Sequence, residues 1–147
     1  GYNYRMTAFQ GGLGLVQLGK LDSFNEMRRQ RAAIYTEALS GLDLQLPGEQ
    51  PNVWSVFHVY SFLLPKRLAS QRDEVVSRLK ERGVPVGVAY PTPLYASPVF
   101  EDLKGPFHCP VTEDVCTRVV TLPTRQSIPL DVVETIGAIT RDVLRDW

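Results

Sequence analysis

Between Pro51 and Pro65 the chain reads NVWSVFHVYSFLL, its densest run of β-branched and aromatic residues. Such side chains suit a pleated, half-buried surface, and a proline cannot donate into a strand ladder, so residues 53–64 predict one strand that Pro65 stops. Ser55, His58 and Ser61 interrupt the run, and it is too short to cross a bilayer. Any fold open to this chain must bury that strand, and the neighbouring segments have to supply the cover.

Upstream, TAFQGGLGLVQLGKL places Thr7 and Gln10 in capping-box spacing ahead of small and apolar residues, which predicts a closely packed helix. Its glycines cost roughly 1 kcal/mol each against alanine in a helix, so close backbone approach is expected there. A long amphipathic helix follows, with Leu21, Phe24, Met27, Ala32, Tyr35, Ala38 and Leu39 near three- and four-residue spacing. Arg28, Arg29 and Arg31 fall largely off that stripe, and the helix ends near Gly41. QLPGEQPN is a connector, because two prolines and a glycine block regular structure.

Beyond the strand, SQRDEVVSRLKERG predicts a helix with Ser70 and Asp73 as a cap pair, Val75, Val76 and Leu79 turned inward and Gly83 as its stop. VPVGVAYP reads as a second short strand, PTPLYASPVF as a proline-rich turn, CPVTEDVCTRV as one or two helical turns and VVTLP as a third strand. The chain closes on an amphipathic helix with Pro129 in its first turn. Few strands interleaved with helices predict an α+β fold, a small sheet covered by helices on one face.

A length of 147 residues fits one domain. Sixteen basic and sixteen acidic residues cancel, which argues against nucleic acid or an anionic membrane as partner. No signal sequence is expected, and Cys109 and Cys116 form neither a C-x-x-C pair nor a disulfide framework, so a reducing cytoplasm is the expected location.

Most motif readings fail on spacing. GLGLVQ carries Gln17 where a dinucleotide fingerprint needs its third glycine, and no strand precedes it. His58, His108, Cys109 and Cys116 match no common zinc spacing, and no G-x-S-x-G accompanies the two histidines. His58 alternates with Phe57 and Val59, so it is either cleft-facing or a hydrogen-bonded, half-buried residue. Asn3 and Arg5 are two apart in an extended segment and share a side, just before a helix N-terminus. A carboxamide donor beside a guanidinium fork suits a phosphate or carboxylate, although an ordinary surface pair reads the same way.

Taken together, GYNYRMTAFQGGLGLVQLGKLD, FHVYSFLLP, GVPVGVAYPTPLYASPVFE, CPVTEDVCTRVVTLPT and the closing helix resemble the C-terminal part of the DegT/DnrJ/EryC1/StrS family of sugar aminotransferases. The resemblance implies the small C-terminal domain of the aspartate-aminotransferase fold across residues 1–147. In that reading 1–40 form an interface segment and helices, 53–147 form the sheet-and-helix layer, and the large cofactor domain is absent. It also implies pyridoxal 5'-phosphate as cofactor, a homodimer joined through the GYNYRM edge, and amino transfer from glutamate or glutamine to a keto group of a nucleotide sugar or cyclitol. Asn3 would contact the cofactor phosphate of the neighbouring subunit, Arg5 would take an anionic group of donor or sugar nucleotide, and His58 and Tyr90 would be further substrate contacts.

The chain departs from the family pattern at Ala89 and Tyr95, where histidines are common, and at Gly11 and Gly12, where alanines are. The imine-forming lysine of the family is expected upstream of residue 1. Lys20, Lys66, Lys80 and Lys104 do not sit in a setting that would lower an ammonium pKa, so no catalytic residue is expected in this chain and it should not transaminate alone. A sugar dehydratase of the same fold, with histidine for that lysine, and a non-catalytic dimerisation or interaction domain are the alternatives.

Overall fold

The computed structural model describes residues 2–103, 105 and 107–147. In chain order the elements are α1 (Ala8–Leu18), α2 (Leu21–Leu39), β1 (Tyr60–Leu63), α3 (Arg72–Glu81), α4 (Pro110–Arg118), β2 (Val119–Leu122) and α5 (Leu130–Arg145). Short 3-10 segments lie at Lys66–Gln71, Leu94–Ala96 and Pro98–Leu103.

β1 and β2 are antiparallel, with Tyr60 opposite Leu122 and Phe62 opposite Val120. These four side chains are fully buried and form the sheet's contribution to the core. On the other face Ser61 and Thr121 meet through their hydroxyls at 3.2 Å. Single bridges extend the sheet on both sides, Gln45 to Leu63 and Gly87 to Thr121. Ala32, Tyr35 and Leu39 of α2, Val75 and Leu79 of α3, and Val133, Ile136 and Val143 of α5 complete one core. α2 and α5 approach closely at Gly137, where a β-carbon would fall 2.9 Å from that of Ala38. The α+β fold is as expected from the sequence.

Several boundaries differ. The strand expected over 53–64 contracts to Tyr60–Leu63 because the backbone before it is committed elsewhere. Thr124 Oγ1 donates to the carbonyls of both Phe57 and His58, and the Ser55 N–H donates to Glu49. Asn52 and Phe57 sit at φ +65° and +43°, outside the extended region. VPVGV supplies only the Gly87 bridge, since Pro85 has no N–H to offer a ladder. The turns expected in CPVTEDVCTRV form the nine-residue α4, and VVTL forms β2. Ser70 caps nothing: the Lys66–Gln71 segment runs directly into α3, and Asp73 instead accepts from Arg72 Nε at 2.6 Å. Pro129 precedes the first turn of α5. Gly41 and Gly83, at φ +77° and +81°, end α2 and α3 as expected.

Arg31, although off the apolar stripe of α2, is 5% exposed, and its guanidinium donates to the carbonyls of Met27, Gln126 and Ile128.

α1 is well capped and poorly covered. The expected capping box is complete, with Gln10 N donating to Thr7 Oγ1 and Thr7 N donating to Gln10 Oε1. Yet none of its residues is buried, and Phe9, Leu13, Leu15, Val16 and Leu18 are all more than half exposed. The close approach expected at its glycines is not made within the chain, since a β-carbon at Gly12 or Gly14 would meet nothing within 4 Å. Isolated helices of this length are marginal in water. Hydrogen exchange on the 147-residue chain should therefore release the α1 amides well before those of Tyr60–Leu63. Equal protection would mean that α1 is held as firmly as the core.

Candidate functional site

Two surfaces carry the candidate residues. The first is the edge ahead of α1. Asn3 and Arg5 are exposed, and the flanking Tyr2 and Tyr4 rings pack on each other with centroids 5.6 Å apart. Thr7 and Gln10 satisfy each other, so the remaining first-turn N–H groups of α1 have no intrahelical acceptor. No acidic residue lies in that turn, leaving the helix terminus with its partial positive charge.

The second surface is a groove of about 800 Å³ between the loop from Ala89 to Ser97 and α4. Tyr90, 79% exposed, stands at its lip, and Val111, Val115 and the buried Cys116 line the α4 side. Outside the groove's lining, but on the same two segments, Glu113 of α4 gathers the Tyr95 hydroxyl, the Cys109 N–H at 3.1 Å and, facing it, His108 Nδ1. The hydrogen bond from Tyr95, then that from the Cys109 backbone, lowers the Glu113 carboxyl below its ordinary range. The same bond raises the Tyr95 hydroxyl. A smaller cleft near α2 holds Arg29, whose guanidinium pairs with Glu49 through both oxygens and lies 4.8 Å from the Trp54 ring.

His58 is exposed on its side chain, and its anchored group is its carbonyl, held by Thr124. No hydrogen bond or ion pair among the described residues joins the Asn3–Arg5 edge to His58 or Tyr90, and of the four Tyr90 alone lines the groove. Among the described residues no group of three His, Cys, Asp or Glu could hold a metal ion, and His108 is engaged by Glu113 instead. Cys109 is exposed and Cys116 buried, both as free thiols. Lys20, Lys66 and Lys80 are exposed, and Lys104 lies outside the described residues. Among the described residues no helix is long and apolar enough to cross a membrane. Glu113 was not singled out in the sequence, although its place in the first turn of a short helix beginning at a proline was a signal.

A family model described as the DegT/DnrJ/EryC1/StrS aminotransferase family matches residues 1–141. A UDP-N-acetyl-3-dehydro-alpha-D-glucosamine 3-aminotransferase from Acidithiobacillus ferrooxidans is 31% identical over 98% of this chain, and a pleiotropic regulatory protein from Geobacillus stearothermophilus is 39% identical over 84% of it. The chain spans 37% and 33% of the lengths of these two relatives. Among solved structures, S. venezuelae DesV in complex with a ketimine intermediate superposes with a TM-score of 0.82 at 28% identity, covering 100% of this chain and 38% of that one. The Helicobacter pylori aminotransferase PseC shares the fold, with a TM-score of 0.86 at 22% identity over 100% of this chain and 40% of its own. On this match over residues 1–141, the chain belongs to the DegT/DnrJ/EryC1/StrS aminotransferase family.

Proposed function

We propose that the chain is the C-terminal part of a cytoplasmic, homodimeric, pyridoxal-phosphate-dependent aminotransferase, moving an amino group from glutamate or glutamine to a keto group of a nucleotide sugar or cyclitol. The observation that carries this reading is the family match over residues 1–141, which includes the polar Asn3–Arg5 edge ahead of the uncovered α1. The named substrate of the A. ferrooxidans relative supports a nucleotide sugar as acceptor.

The residues present fit the phosphate group of the cofactor. Asn3 offers carboxamide N–H groups, Arg5 a guanidinium fork and α1 its free first-turn N–H groups, with no carboxylate in that turn to repel an anion. When bound, pyridoxal phosphate supplies the electron sink for amino-group transfer. Asn3 holds the phosphate belonging to the neighbouring subunit's site, and Arg5 orients an anionic group of the donor or sugar nucleotide beside it. Tyr90 and His58 meet the acceptor. In this reading the lysine that carries the cofactor lies outside these 147 residues, and Lys20, Lys66, Lys80 and Lys104 do not take its place.

Borohydride reduction with the cofactor, followed by peptide mapping, tests this assignment. The 147-residue chain should carry no label on Lys20, Lys66, Lys80 or Lys104, whereas the full-length protein should be labelled on a lysine elsewhere. It should also turn over glutamate with UDP-N-acetyl-3-dehydro-alpha-D-glucosamine as a probe acceptor. Stoichiometric label on one of the four would overturn the reading. The name of the G. stearothermophilus relative favours a second reading, a non-catalytic dimerisation or interaction domain, which predicts neither label nor turnover in the full-length protein.

A further inference from the structure

The groove between the 89–97 loop and α4 has one firm wall and one loose one. α4 is fixed from behind, where Arg72 Nη1 donates to the Cys116 carbonyl at 3.1 Å and Arg118 Nη1 donates to the Leu64 carbonyl at 2.7 Å. The opposite wall is a loop whose Tyr90 and Leu94 are 79% and 74% exposed. Among the described residues its backbone hydrogen bonds are short-range, from Ala96 N to Pro93 O and from Ser97 N to Leu94 O, both at 3.0 Å, and from Phe100 N to Ser97 O at 2.9 Å.

Among the described residues one side-chain hydrogen bond crosses between the walls, from the Tyr95 hydroxyl to Glu113 Oε1. The Tyr95 ring also packs on Phe107, with centroids 6.0 Å apart, so the side chain is held at both ring and hydroxyl. Pro91 and Pro93 restrict the backbone between Tyr90 and Tyr95, and an anchor at Tyr95 is therefore passed back to Tyr90 through a stiff segment.

We propose that Glu113 is a positioning residue: through Tyr95 it sets the distance between the two walls and thereby the seat of Tyr90 at the groove's lip. That Tyr90 meets the acceptor rests on the functional reading above; that Glu113 fixes the loop does not.

The test uses Glu113→Gln, Tyr95→Phe and the double variant in the full-length protein, with glutamate and the same keto sugar as probes. Loss of one hydrogen bond should raise the KM for the keto sugar about 3- to 10-fold, leaving kcat and the KM for glutamate within about twofold. The double variant should be no worse than the more affected single one, because Tyr95→Phe removes the same bond that Glu113→Gln weakens by taking away the acceptor's charge. Hydrogen exchange in residues 89–97 should quicken in both single variants, while α4 stays unchanged in Tyr95→Phe. If Glu113→Gln quickens exchange only in α4 and Tyr95→Phe changes nothing, Glu113 merely caps a helix and the proposal is overturned. Fully additive effects would overturn it as well. A protein that uses no keto sugar would remove the functional reading, and the exchange comparison would still decide whether Glu113 sets the loop.

Discussion

Two full-length variants, one lacking the cofactor-bearing lysine and the other carrying Asn3→Ala with Arg5→Ala, should each be inactive or badly impaired, and activity should return when their subunits are exchanged. The expectation follows from the role proposed for Asn3 in the neighbouring subunit's site, and both side chains are exposed and available for it. In a mixed dimer the second subunit brings the lysine and the first brings the intact edge, so one of two sites is whole. At equal mixing about half the dimers are mixed, and activity should reach about a quarter of the unsubstituted level. Losing one charge-assisted contact costs on the order of 1.5–3 kcal/mol, or roughly 10- to 150-fold, which makes the recovery easy to see. If Asn3 and Arg5 served their own subunit, every site would lack one element. Mixed dimers that form without recovery would exclude the role in trans.

The second large effect concerns stability. Arg31→Ala should destabilise the chain by about 2–5 kcal/mol, read as a lower denaturation midpoint in urea with an unchanged slope. Among the described residues the guanidinium has no carboxylate partner in its buried setting. It spends its donors on carbonyls, reaching Ile128 at 2.6 and 3.1 Å and Gln126 at 2.9 Å. Removing it strands those carbonyls and opens a void between α2 and the loop leading to α5. Arg145→Ala, on an exposed residue near the end of α5, should change the midpoint little. Equal losses would mean that Arg31 contributes no more than surface charge.

What the sequence disclosed follows the range of the interactions involved. The Thr7–Gln10 box is local and was legible, as were the inward stripe of α3 and the glycine stops at Gly41 and Gly83. Val53–Val59 misled because its composition suits a strand while its backbone answers to Thr124, 66 and 67 residues away. The burial of Arg31, off the apolar stripe, was not legible because its acceptors at Gln126 and Ile128 lie 95 and 97 residues along the chain. The Tyr95–Glu113 contact spans 18 residues and needs the turn and α4 to be in place before it can be seen. Family membership was legible in the ordered motifs beginning at Asn3. The geometry around Asn3 and Arg5 was not, since among the described residues no side-chain partner fixes it.

The bridges at Gln45 and Gly87 also bear on how this chain associates. Each outer segment pairs through a single residue, and a proline stands two positions away on each side, Pro47 and Pro85. Neither rim presents a continuous row of free amides and carbonyls on which a further strand could grow. Added layers of cross-β polymer are blocked at both margins. Accretion of copies would start from the greasy flank of α1 and give disordered clumps that detergent disperses, not fibrils.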